Sequence, residues 1–141
     1  GEKVLEIGTG SGWKTALMAK LVGESGKIIS IERIEELRNF AKQNLAKYGF
    51  LAPPSAEVEK GIVELILADG SKGYSEQAPF DKIIAAASAE NLPAAWQEQL
   101  KISGRLVVPV QESIIVMDKI AKNQFEKKEY FGFSFVPLIR G

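Results

Sequence analysis

The sequence predicts an α/β fold: a mostly parallel sheet, helices on both faces, and an antiparallel edge at the C-terminal end. Three observations predict it. Through the first half, short apolar runs alternate with helix-length segments, as strands buried on both faces of a parallel sheet require. In the second half, strand-like runs follow one another with no helix between them, which parallel pairing does not allow. Between the first strand and the first helix lies Gly8-Thr9-Gly10-Ser11-Gly12, at the place where open α/β sheets turn towards a ligand.

The elements follow in order. Val4–Ile7 is a short apolar strand, Gly8 to Gly12 the turn, and Trp13 to Leu21 a helix with Ala16, Leu17 and Leu21 for its inner face. Gly23 to Gly26 break it. Lys27–Ile31 is the second strand, with Glu32 at its end. Glu35 to Tyr48 is an amphipathic helix that buries Leu37, Phe40, Ala41 and Leu45, with Asn44 a polar exception on that face and Gly49 the stop. Residues 50–60, with Pro53-Pro54, form a loop. Ile62–Ala68 is the third strand, Asp69-Gly70-Ser71 a turn, and Phe80–Ala87 the fourth strand. Leu92 to Leu100 is helical and Gly104–Val110 is the fifth strand. Ser113–Asp118 and Phe125–Tyr130 make a hairpin around the polar segment 119–124, and Phe133–Ile139 adds a last extended stretch.

With 141 residues, 45% hydrophobic and 26% charged, the chain has the size and balance of a single globular domain spanning 1–141. Eighteen basic and eighteen acidic residues leave a formal charge of zero, so no general attraction to nucleic acid or anionic membrane is expected. Cysteine and histidine are both absent. That excludes disulfides, thiol nucleophiles, Cys or His metal sites and Ser-His-Asp chemistry, and no metal is expected. No apolar run reaches membrane-spanning length. The chain opens on Gly1-Glu2-Lys3-Val4 with no basic and apolar leader, so a cytoplasmic setting is expected. An opening without Met suggests a trimmed chain or a fragment.

The glycine turn leaves a strand and enters a helix, so its backbone can approach a ligand and present free N–H groups. Its spacing is G-x-G-x-G, not the dinucleotide G-x-G-x-x-G, and no Lys-Ser or Lys-Thr pair follows, as a phosphate loop would need. Glu32 lies twenty residues after Gly12. A carboxylate there can accept both hydroxyls of an adenosine ribose and disfavours a 2′-phosphate; the alternative is a solvated charge at a helix start. Asp69 and Gly70 end the third strand, where a side chain or amide can meet an adenine edge; for Asp69 the alternative is a plain turn or cap. The three places together point to an adenosine-containing ligand. Ser88 is either a hydroxyl facing a substrate or, the reading preferred, a helix cap before Leu92. Tyr130, Phe131, Phe133 and Phe135 form either a peptide-binding wall or, preferably, ordinary edge-strand packing. Lys119, Lys122, Lys127 and Lys128 are interspersed with Asp118, Glu126 and Glu129, so a solvated hairpin is expected there rather than a nucleic-acid contact.

From Val4 to Trp13 (VLEIGTGSGW), through Gly26–Arg33 (GKIISIER), Ala68-Asp69-Gly70 with Gly73-Tyr74, Ala78–Ile84 (APFDKII), Leu100–Val110 (LKISGRLVVPV) and Phe135–Leu138 (FVPL), the chain resembles the class I S-adenosylmethionine-dependent methyltransferases. Among them it looks like the protein-L-isoaspartate O-methyltransferases. The resemblance implies a Rossmann-like sheet and S-adenosylmethionine as cofactor. It also implies transfer of a methyl group to a carboxylate on a protein or peptide. It places Gly8, Thr9, Gly10, Ser11 and Gly12 under the cofactor, with Glu6 orienting that loop and reaching the methionine end through water. It places Glu32 at the ribose, Arg33 and Ile34 near the adenine pocket, and Asp69 and Gly70 at adenine. Val136 and Pro137 fall at a peptide-binding rim. No catalytic residue is assigned.

Members of the family carry a further segment before the first motif, including a Thr/Ser-bearing stretch close to the transferred methyl. Its lack here is expected to leave sheet surface uncovered, through which self-association is expected. Ser88-Ala89-Glu90 also stands where Ala-Pro-Glu is usual. The alternatives are a methyltransferase core with another protein or small-molecule substrate, and a module that binds cofactor without turnover. A fragment of an NAD-dependent oxidoreductase is disfavoured by the glycine spacing.

Overall fold

The structure is a computed structural model that describes residues 1–51 and 61–139; the expected Pro53-Pro54 loop lies outside the described residues. The strands are β1 (Lys3–Ile7), β2 (Lys27–Glu32), β3 (Val63–Leu67), β4 (Phe80–Ala85), β5 (Leu100–Val110), β6 (Ser113–Ala121) and β7 (Gln124–Phe131). They form one sheet in the order β3-β2-β1-β4-β5-β6-β7. The first five are parallel, while β6 runs antiparallel to β5 and β7 antiparallel to β6, as the sequence predicts. The chain steps outward from β1 to β3, then returns to lay β4 on the other side of β1. Leu5 therefore sits between Ile29 and Ile83. This reversal opens a crevice at the carboxyl ends of β1 and β4.

Right-handed crossovers place α1 (Trp13–Val22) and α2 (Glu35–Ala46) on one face and α3 (Ala94–Glu98) on the other. Val4, Ile28 and Val63 meet Ala19, Val22 and Leu45 on the first face. Leu5, Ile7, Ile31, Phe80, Leu106 and Val108 surround the fully buried Trp96 of α3 on the second. Gly12 caps α1 with φ +82°, and a Cβ there would lie 3.2 Å from that of Ala41. The bare glycine lets the two helices close at their ends. Among the described residues, no helix is long and apolar enough to cross a membrane.

Several expectations change. The inner face of α1 is Thr15, Ala19 and Val22, whereas Leu17 and Leu21 point outward, Leu21 at 84% exposure. The helix turns its polar Thr15 inward to serve a buried carboxylate described below. On α2 only Ala41 and Leu45 are buried, and Leu37 and Phe40 are exposed. Helix α3 is a five-residue piece because Pro93 and the early start of β5 confine it.

The terminal hairpin extends to Ala121 and Gln124, so the expected polar segment is mostly strand. Lys119 is buried rather than solvated. Its ammonium donates to the carbonyls of Gln97 (2.8 Å), Glu98 (3.3 Å) and Leu100 (2.8 Å) at the end of α3. Tyr130 and Phe131 are exposed rather than packed into a core because β7 is the open edge of the sheet, and Phe133 and Phe135, past the end of β7, are exposed as well. The 133–139 stretch makes only an isolated parallel bridge, Ser88 with Pro137. Ser88 caps no helix: its hydroxyl donates to the Gln111 carbonyl at 2.9 Å.

Candidate functional site

Strand alternation sends Glu6 to the face covered by α1, and the β1–β2 register sets Ser30 beside it. The Glu6 side chain is fully buried. Its Oε2 accepts from Thr15 Oγ1 at 2.5 Å and from Ser30 Oγ at 2.7 Å. Ser30 has spent its proton, so in the 2.6 Å contact between Thr9 Oγ1 and Ser30 Oγ the threonine donates. Among the described residues, Oε1 receives no hydrogen bond; the Lys14 ammonium stands 3.4 Å away, an ion pair too long to saturate it. Burial pushes the Glu6 carboxyl above its usual range, while Lys14 and the two hydroxyls draw it back down. The glycine turn thus rests on a buried polar chain running from Thr9 to Glu6.

Above this chain the turn meets Glu32. Gly10 N–H donates to Oε2 at 3.0 Å, and the N–H groups of Arg33 and Ile34 donate to Oε1 at 2.9 and 3.0 Å. Three backbone amides fix the carboxylate at the end of β2, and Oε2, with one bond made, keeps room for further donors. Glu32 is not the solvated helix-start charge of the alternative reading: it is 8% exposed.

A cavity of about 380 Å³ opens beside it, lined by Gly8, Gly10, Glu32, Arg33, Ile34 and Gly70, with Ile7, Ile31 and Leu37 on its apolar side. Ala86, Ala87 and Val136–Ile139 complete the wall. The last segment is held there because Ser88 N–H donates to the Val136 carbonyl, and Leu138 N–H to the Ser88 carbonyl, both at 2.7 Å.

The structure therefore gathers Gly8, Gly10, Glu32, Arg33, Ile34 and Gly70 on one cavity, with Glu6 and Thr9 beneath it. Ser11 and Gly12 face the neighbouring groove between α1 and α2, beside Trp13, Leu17 and Tyr48. Asn44, the polar exception on α2, donates its side-chain amide to the Ser11 carbonyl at 2.9 Å and ties that groove to the turn. The Asp69 carboxylate accepts from Ser71 N–H at 2.9 Å, the turn-capping geometry of its alternative reading. Sequence reasoning does not find Thr15, Ser30, Ala86, Trp96 of α3 or Gln99 just past that helix, which matter through tertiary contacts with no local motif. Among the described residues, no three carboxylates cluster to hold a metal.

Comparison with known proteins bears on this geometry. A solved protein-L-isoaspartate O-methyltransferase superposes with a TM-score of 0.83 at 28% identity, over 97% of this chain and 42% of the other. A Plasmodium falciparum protein described as a protein-L-isoaspartate O-methyltransferase, solved with S-adenosyl-L-homocysteine, shares the fold. Its TM-score is 0.81 at 24% identity, over 99% of this chain and 66% of the other. That backbone is the class I S-adenosylmethionine-dependent methyltransferase fold.

The match extends to sequence. Protein-L-isoaspartate O-methyltransferase 2 of Archaeoglobus fulgidus is 43% identical over 141 residues, covering 98% of this chain and 60% of its own length. The Methanopyrus kandleri protein-L-isoaspartate O-methyltransferase is 38% identical, covering 99% and 59%. Residues 1–141 match the protein-L-isoaspartate(D-aspartate) O-methyltransferase family throughout, and the chain belongs to it. It spans about three fifths of the length of these curated relatives.

S-adenosylmethionine is the cofactor of this fold class, and the residues here fit it. Glu32 offers acceptor capacity to ribose hydroxyls, bare glycine backbone borders the cavity, and the buried, unsatisfied Glu6 Oε1 lies under the same turn.

Proposed function

We propose that this chain binds S-adenosylmethionine in the β1–β2–β4 crevice and methylates a carboxylate on an isoaspartyl residue of a protein or peptide. The observation that carries the reading is Glu32, fixed by three backbone amides at the mouth of the cavity that the glycine turn borders. Membership of the family supports the choice of acceptor.

When bound, the cofactor supplies a methyl group on a sulfonium centre whose positive charge makes the departing thioether a good leaving group. The protein's share is positioning. A carboxylate acceptor is already ionised at neutral pH, so no general base is needed, and a chain without histidine or cysteine is not handicapped. Glu32 would hold the ribose end of the cofactor and so fix its orientation in the crevice. Alignment of this kind supplies much of the barrier reduction in a two-reactant step. Ala86, Ala87, Val136 and Pro137 offer an apolar wall that keeps water from the acceptor carboxylate and leaves it more nucleophilic. No role in the transfer is assigned to Ser88, whose hydroxyl serves the Gln111 carbonyl. The test is methylation of an isoaspartyl peptide against its normal aspartyl twin. Selective labelling of the isoaspartyl form is expected, and equal labelling of both overturns the repair reading.

A second reading is favoured by exposed apolar side chains on α1 and α2 and just past α2, including Trp13 and Tyr48 at 71% each and Leu21 at 84%. In it the chain is a cofactor-binding core that works only with that surface covered, by more chain or by a second copy. Tight binding of S-adenosylhomocysteine with no turnover of any peptide, and self-association on gel filtration, would favour it. A turnover-competent monomer refutes it.

A further inference from the structure

Gly70 forms part of the cavity wall, on the short turn after β3. That turn is a three-residue 3₁₀ segment, Gly70–Lys72, closed locally by the Asp69 cap on Ser71 N–H and by Gly73 N–H donating to the Gly70 carbonyl at 3.0 Å, and followed by a second at Ser75–Gln77. Long-range support comes from Trp96 of α3 and from Gln99, the residue that caps the end of that helix. Trp96 donates its indole N–H to the Gly70 carbonyl at 2.9 Å from a fully buried position. Gln99 grips the turn at two further points. Its Oε1 accepts from Tyr74 N–H at 2.7 Å and its Nε2 donates to the Lys72 carbonyl at 3.0 Å. Only one amide orientation satisfies a donor on one side and an acceptor on the other, so the side chain is locked. Gly73 admits this approach, since a Cβ there would stand 2.2 Å from Gln99 Oε1. Helix α3 is itself anchored by the Lys119 ammonium, which holds carbonyls at its C-terminal end and at the start of β5.

We infer that Trp96 and Gln99 are positioning residues for the purine side of the cofactor site, clamping the 70–74 turn so that Gly70, the residue of that turn on the cavity wall, is held in a fixed place beside adenine. The inference rests on the cofactor reading above. Neither side chain lines the cavity, so each acts through the turn. A rigid edge discriminates between purines, because a donor set against a donor leaves both unpaired in a buried place. Adenine and hypoxanthine present opposite patterns: the 6-amino donor becomes a carbonyl acceptor, and the ring N1 acceptor becomes an N–H donor. A loosened turn relaxes to suit either base.

The experiment measures affinity for S-adenosyl-L-homocysteine and S-inosyl-L-homocysteine by titration calorimetry, on wild type, Trp96→Phe and Gln99→Met. Circular dichroism and melting curves establish folding in each. Wild type is expected to prefer the adenine ligand by tenfold or more, and each variant to lose at least threefold of that ratio, chiefly through weaker adenine binding. A change in overall stability alone weakens both ligands together and leaves the ratio intact, and that result overturns the inference. If Trp96→Phe does not fold, Gln99→Met, whose side chain is of similar length, decides alone. Wild type that binds neither ligand refutes the cofactor reading and this inference with it. Wild type that binds the adenine ligand, with an unchanged ratio in the variants, refutes this inference only.

Discussion

Glu32→Gln changes one oxygen to an NH₂ group, and the structure says what that costs. The native carboxylate serves three amides, two on Oε1 and one on Oε2. The glutamine oxygen serves best on the side of Arg33 and Ile34, which aims the new NH₂ at Gly10 N–H, donor against donor. One amide is then stranded beside a residue only 8% exposed. An unsatisfied buried donor costs about 1–3 kcal/mol; Gly10 N–H is part-buried, so about 1 kcal/mol is expected, or roughly 3–4 °C in melting temperature for a chain of this size. Ligand binding suffers separately, because the NH₂ now occupies the corner where a ribose hydroxyl would donate. Loss of a hydrogen bond to a charged acceptor is worth about 1.5–3 kcal/mol, so the Kd for S-adenosylhomocysteine is expected to rise roughly tenfold to a hundredfold. Calorimetry and a thermal melt on the same preparation read both effects. A variant with an unchanged melt and affinity within about twofold of wild type would show that the carboxylate neither fixes the turn nor meets the ligand.

Three further outcomes follow from the same geometry. Burial raises the Glu6 carboxyl, so above the unfolded value of about 4.3 the native state keeps a proton that the unfolded chain has released. Stability then falls as pH rises through that window and levels off above the native pKa. Glu6→Gln does not titrate, so in urea melts the stability of wild type relative to the variant should fall from pH 4 upward; a flat or rising difference contradicts the assignment. Leu21→Ala, at an exposed site, is expected to change stability by no more than about 0.5 kcal/mol, while Val22→Ala, buried on the next position, costs about 1.5–3 kcal/mol. Equal effects in denaturant unfolding would mean that α1 is rotated from the orientation described. Gly12→Ala forces a side chain into the left-handed region and against Ala41 and Leu45. It should cost about 1–2 kcal/mol from conformation alone, plus displacement of α2, and near-wild-type stability would refute the tight closure of the two helices.

Much of the parallel half was legible because it is written locally. Apolar runs such as Val4–Ile7 and Lys27–Ile31 and the glycine turn between strand and helix carry their own signal, and Glu32 stands out by its spacing. The face of α1 was not legible. Periodicity favours Leu17 and Leu21, but the helix rotates to deliver Thr15 to Glu6, and a buried carboxylate outweighs two leucines. Lys119 is hidden for a similar reason: among charged hairpin neighbours it looks solvated, and only the fold brings it to two carbonyls at the end of α3 and one at the start of β5. Asn44 shows the reverse case, a residue visibly out of pattern whose partner, the Ser11 carbonyl, no local reading could name. The cavity wall from Val136 to Ile139 was the least visible part, because two hydrogen bonds to Ser88 place it and no strand pattern does.

That wall has a consequence for how the protein is made. The cavity joins Gly8 and Gly10 to Leu138, so its parts leave the ribosome far apart in time. At about 5–20 residues per second, roughly 6–26 s separate Gly10 from Leu138. During that interval the central pair β1–β4, itself joining Leu5 to Ile83, can assemble, yet the crevice above it stays unroofed. Any ligand affinity that depends on the roof therefore arrives late, and in the cell cofactor would stabilise chains synthesised past Leu138 over shorter ones.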